Sequence, residues 1–309
     1  MEAMRKPFRP AALAHLLLFF VVLVWGSTFV LVKAALRDVS PLLFNLLRMA
    51  LATVALLAVN ARQLRTLTRR QLSSGVLAGL FLAAGYQCQT FGLTLTTPAK
   101  SAFITGMVVV FVPALTLFPA VRPAGTPKPG WFAAGGALCA FAGLILLTTP
   151  SGTTLQTLFS SIGAGDLITL ACALAFAGHL LTLAHQPPDF SAGLLGTLQI
   201  GAATLFMLVS LPLERPHLLW TPRVVLALLI CGLLGTAAAF TIQSYAQQHL
   251  PPTHTVVVLT LEPVFAWLTA LLFLHEGLGH RALLGAALIL AGIAVIEFMP
   301  STHSTEIPA

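Results

Sequence analysis

The side chains with the most chemistry to offer are charged and amide groups set inside long apolar runs. In the stretch from Gly235 to Glu276, Glu262 immediately precedes Pro263, and the run from Pro251 to Leu274 is long enough for a full bilayer crossing. A carboxylate near the middle of such a run is costly unless it faces a protein interior or a wet cavity. A proline beside it frees a carbonyl that can line the same cavity. Arg48 is a second charge inside an apolar run, a little after Pro41. At roughly 1.5 Å per residue, Glu262 comes about 14 Å and Arg48 about 10 Å below the same membrane edge, so they are expected at similar depth and electrostatically linked. Paired, they make a structural contact or a gate. Unpaired, Glu262 becomes a candidate proton carrier.

Neutral polar groups fall in comparable settings. Trp25-Gly26-Ser27-Thr28 sits over halfway along the first apolar run, where a glycine admits a neighbouring helix and hydroxyls serve an interhelical contact or a ligand. Gln89 and Gln243 carry amides that need partners in a low-dielectric setting, and either bind a solute or bridge helices. Tyr86 and Tyr245, the only tyrosines, read as ligand donors or as membrane-interface anchors. Trp25, Ser27, Tyr86, Gln89, Thr105, Gln243 and Thr260 are therefore the candidate lining of a lumen, with Arg48, Glu262, Pro113 and Pro263 as gating or coupling positions.

Other patterns carry less. His275-Glu276-Gly277-Leu278-Gly279-His280 superficially resembles the zinc-hydrolase HExxH, but its histidines are five apart with two glycines between them, so they do not share a helical face. His179, His185 and His254 read as packing or interface residues. The cysteines Cys88, Cys139, Cys172 and Cys231 show no CxxC spacing and suggest neither disulfides nor a metal cluster. No GxxxxGK phosphate loop is present, which argues against an ATP-driven pump. No cofactor is implied.

Composition sets the elements that must position these groups. Of 309 residues, 57% are hydrophobic and 8% charged, against about a quarter charged in soluble proteins, so the class is an all-α polytopic membrane protein. The net charge of +7 comes mainly from the N-terminus and one early loop, without the basic stripe of a nucleic-acid binder. Ten spans are expected, at 11–33, 41–59, 72–93, 99–120, 130–148, 165–185, 191–211, 223–246, 251–274 and 281–298. The first reads as an uncleaved span rather than a signal peptide, because its apolar run continues past Trp25. With a cytoplasmic N-terminus, nine Lys and Arg residues fall on inside segments and six on outside ends, a bias strongest in the first half. Both termini are placed in the cytoplasm of a cell-membrane protein.

The chain also appears twice within itself. A shift of 150 residues superposes Pro113 on Pro263, Gly135 on Gly285 and Pro150 on Pro300, and a slightly larger one pairs Gln89 with Gln243. A repeat of five spans is odd, so its second copy enters the membrane inverted, a design of many secondary transporters with the site at the midplane.

Trp25-Gly26-Ser27, Arg48, Gly165-Asp166, Gly235-Thr236, Leu261-Glu262-Pro263, Glu276 and the GAALILAGI run, in this order and spacing, resemble the EamA branch of the drug/metabolite transporter superfamily. The resemblance covers nearly the whole chain as two EamA-type repeats, 11–150 and 163–300. It implies ten helices in two inverted five-helix repeats and export or exchange of small metabolites (amino-acid-like, nucleoside-like or drug-like) by alternating access. The expected partners are a small-molecule substrate and the lipid bilayer, with proton coupling an open option and oligomeric state undetermined. The first half departs from the pattern, since Phe111-Val112 precedes Pro113 where the second half has Leu261-Glu262. An intramembrane enzyme would need a nucleophile, base and orienter set that the sparse ionisable residues do not supply. A non-transporting scaffold is the third reading.

Overall fold

The computed structural model describes residues 10–123, 128–149, 162–185, 190–249, 258–259 and 261–298. The chain runs through α1 (Pro10–Ala35), α2 (Pro41–Asn60), α3 (Arg69–Leu95), α4 (Pro98–Thr105), α5 (Val108–Thr116), α6 (Trp131–Thr148), α7 (Ala164–Ala184) and α8 (Ala192–Ser210). It continues through α9 (Pro222–Leu229), a π-helical segment (Ile230–Ala238), α10 (Ala239–His249), α11 (Glu262–Leu274) and α12 (His280–Phe298). Among the described residues, eight stretches are long and apolar enough to cross a membrane, and Glu262–Leu274 and His280–Ile296 are shorter apolar helices.

Local chemistry fixes several helix starts. Ser40-Pro41, Thr97-Pro98 and Thr221-Pro222 each put an extended hydroxyl residue before a proline, whose fixed φ suits the first turn and whose missing N–H is not needed there. The Thr97 and Thr221 hydroxyls accept from the N–H of Lys100 and Val224, while α3 opens on a reciprocal capping box between Thr68 and Gln71.

Three expected spans are corrected in detail. The span at 99–120 is two helices, α4 and α5, divided at Gly106-Met107 and followed by a short 3-10 turn at Pro119–Val121. The span at 223–246 is interrupted by the π-helical segment. In the span at 251–274, Glu262 does not stand mid-helix but opens α11, with Pro263 in the first turn, where it breaks no helical hydrogen bond. Thr260 and residues 250–257 lie outside the described residues.

The helices are apolar on both faces. Phe44, Met49, Leu82, Ile200 and Ile289 are buried, while Val59, Leu138, Val209 and Phe273 are largely exposed. A helix in water shows a polar outer face, so this pattern marks an exterior that meets lipid.

Packing joins the first half of the chain to the second. α3 runs against α7, and α1 against α11, where a Cβ on Gly26 would come within 2.6 Å of the Phe265 Cβ. α6 lies against α12, with Gly136 facing Gly292 and Gly143 facing Gly285 closely enough that a Cβ on Gly136 or Gly143 would stand 2.5 Å from the opposite glycine's oxygen. Small residues let membrane helices approach in this way and gain dispersion energy.

Polar contacts between the halves collect at the end of the bundle bearing Ala35. Val39 and Leu218 form an antiparallel bridge, with Leu219 N–H on the Asp38 carbonyl at 2.8 Å. The Asp38 carboxylate accepts from Thr221 at 2.7 Å and pairs with Arg223 at 2.9 Å. Nearby, Asp166 accepts from Thr96 at 2.8 Å and pairs with Lys100 at 3.2 Å. At the other end, Asn60 donates to Thr197 at 3.2 Å.

Candidate functional site

The polar groups converge around Tyr86, which α3 buries at the centre of the bundle. This burial rules out the membrane-anchor reading of Tyr86. Its ring meets Phe176 of α7 edge-on at 5.3 Å and Phe240 of α10 at 6.4 Å, and Phe240 also packs on Trp25 at 5.6 Å. The guanidinium carbon of Arg48 stands 4.3 Å over the Tyr86 ring centroid, within cation–π range. Arg48 is 2% exposed.

Arg48 is held by a part of the chain that sequence reading passed over. Its guanidinium donates to Thr236 Oγ1 at 3.0 Å, and Thr236 donates in turn to the Cys231 carbonyl five residues back at 2.7 Å. The carbonyl of Gly235, the residue before Thr236, accepts from Trp25 Nε1 at 2.8 Å. The π-helical turn thus presents a hydroxyl and a carbonyl to two different helices, the kind of use for which these turns recur at functional sites. Gly235-Thr236 in the sequence was the available signal; the extra residue in the turn has no compositional signature.

Glu262 is half-buried at the start of α11. Arg48 lies on the Tyr86 ring, and no ion pair joins it to Glu262 among the described residues. The expected direct link is therefore replaced: depth along a span does not give the rotation of a side chain about the helix axis, and Arg48 turns to Thr236. Cys172 meets Thr105 at 3.9 Å. Gln89 donates to Thr105 Oγ1 at 3.4 Å. Pro263 packs at Gly106, where a Cβ would come 3.2 Å from its Cγ, so the break between α4 and α5 abuts the start of α11.

Other candidates stand apart. Ser27 spends its hydroxyl on the Leu23 carbonyl at 2.6 Å, and Pro113 lies inside α5. Gln243 is buried on α10, and its side-chain oxygen has no partner among the described residues. Asn45 was not singled out beforehand. It donates to the Tyr86 carbonyl at 3.0 Å and accepts from Thr90 at 3.0 Å, fixing α2 against α3. His179, expected to be a packing residue, is buried with Nε2 2.6 Å from Gln199 Oε1.

The EamA-like transporter family matches residues 12–149 and again residues 163–298. The chain belongs to that family. EamA proteins are part of the drug/metabolite transporter superfamily, and the chain is accordingly a multi-pass membrane protein of a transporter family. It is similar to an uncharacterized transporter of Archaeoglobus fulgidus, with 30% identity over 291 residues spanning 92% of this chain and 85% of the relative. The uncharacterized transporter YoaV of Bacillus subtilis is 26% identical over 90% of this chain and 94% of its own. A chloroplastic WAT1-related protein of Arabidopsis thaliana is 26% identical over 89% of this chain and 67% of its own. In fold, the EamA chain resembles a solved crystal structure, with TM-score 0.63 and 20% identity over 93% of this chain and 97% of the other.

Proposed function

We propose that the protein is a secondary transporter that exports small organic metabolites by alternating access. In this reading two inverted five-helix repeats, 11–150 and 163–300, rock about a central site. One observation carries it. Arg48 and Tyr86 from the first half meet Thr236, Phe176 and Phe240 from the second around one buried ring, so a solute held there touches both halves. The protein sits in the cell membrane with both termini in the cytoplasm. Glu262, which has no ion-pair partner among the described residues, carries the coupling proton.

The test is efflux and uptake of a panel of amino acids, nucleosides and organic acids by the full chain in sealed vesicles. Movement of at least one solute, driven by a proton gradient in the parent, supports the reading. A Glu262→Gln variant is expected to keep solute exchange and lose the gradient-driven component. A chain that folds in vesicles and moves nothing across the whole panel overturns it.

A further inference from the structure

Arg48 is under-partnered for a cation buried in an apolar bundle. A guanidinium has five N–H donors and never gives up its charge. Among the described residues one hydrogen bond goes to Thr236, one face lies on Tyr86, and the buried Nε has no partner. Leaving a buried charge so incompletely met is costly. Charges at the Ala35 end of the bundle are served. Lys33 donates to the carbonyls of Leu93 and Thr96 at 2.5 and 2.8 Å, and Asp166 has Thr96 and Lys100. Arg281 shares an unpartnered Nε, but it sits at the opening of α12, with Thr149 at 2.7 Å.

We infer that Arg48 recognises an anionic group on the solute, and that the central site takes organic carboxylates. This rests on the transporter reading above. The planar fork matches a carboxylate with two parallel hydrogen bonds, and stacking on Tyr86 holds its plane. Phe176 and Phe240 meet the same ring, Trp25 packs on Phe240, and together they supply an apolar wall for the body of the solute. A neutral amide of the same shape satisfies the wall but not the guanidinium. Arg48 is thus a specificity-determining residue.

The experiment compares matched carboxylates and amides on the purified full chain: acetate with acetamide, phenylacetate with phenylacetamide, and phenylalanine with its amide. Binding is read by thermal stabilisation in detergent, and transport by counterflow in vesicles. The parent is expected to bind the carboxylate of at least one pair at least about tenfold more tightly than its amide. Arg48→Gln should erase that preference, a loss of roughly 30-fold or more in carboxylate affinity, with amide binding little changed. Arg48→Lys keeps the charge in the membrane but loses the fork, so it should fold and show an intermediate preference. The inference is overturned if no carboxylate binds, if amides bind as well as their acids, or if either variant keeps the full preference. Solute movement blind to the acid–amide difference would sink anion recognition and leave the transporter reading standing. Arg48-dependent carboxylate binding without any movement would do the reverse.

Discussion

At the scale of single residues, the Thr236 hydroxyl matters because, among the described residues, it is the one hydrogen-bond acceptor that meets the Arg48 guanidinium. Thr236→Val keeps the shape and removes that acceptor, so it is expected to lower stability by about 1–2 kcal/mol. In an Arg48→Met background, which leaves no stranded charge, the same change should cost far less. Unfolding of the four proteins of this cycle in mixed micelles measures the coupling, and additive losses would show that the contact is idle. Sequence reading found Arg48, Glu262 and Tyr86 because a polar side chain in an apolar run is conspicuous by composition. It missed the Arg48 partners, since hydropathy gives depth and nothing about which way a side chain turns or which helix lies beside it.

At the scale of helices, α6 and α12 offer a contrast one residue apart. A Cβ on Gly135 meets nothing within 4 Å, whereas a Cβ on Gly136 would stand 2.5 Å from the Gly292 oxygen and 2.7 Å from Ile296. Gly135→Ala should therefore be neutral or stabilising by up to about 1 kcal/mol, through helix propensity alone. Gly136→Ala should destabilise by about 1–3 kcal/mol as the helices are forced apart. Equal effects of the two substitutions on detergent-induced unfolding would refute the close approach. Most spans were legible as apolar length, and helix starts at Pro41, Pro98 and Pro222 as a hydroxyl residue followed by proline. The π-helical segment and the division at Gly106-Met107 were not, because both are settled by neighbouring helices. Thr236 goes to Arg48, and Pro263 presses on Gly106.

At the scale of the whole molecule, every strong seam joins the first half of the chain to the second: α3 with α7, α1 with α11, α6 with α12, and the polar contacts at the Ala35 end. If the halves rock, the Thr96–Asp166 contact must open and close. A Thr96→Cys, Asp166→Cys pair, in a chain whose four native cysteines are replaced, should halt transport when bridged by a short bifunctional thiol reagent and recover on reduction. Undiminished transport by the bridged protein would place the moving parts elsewhere. The same seams make the peptide connection between the halves dispensable. Two separately translated fragments, cut near residue 155, should each insert and then find one another in the bilayer as a heterodimer, with a tag on one retrieving the other. Retrieval of one fragment by the other would make this chain, in assembly, two subunits that share one polypeptide.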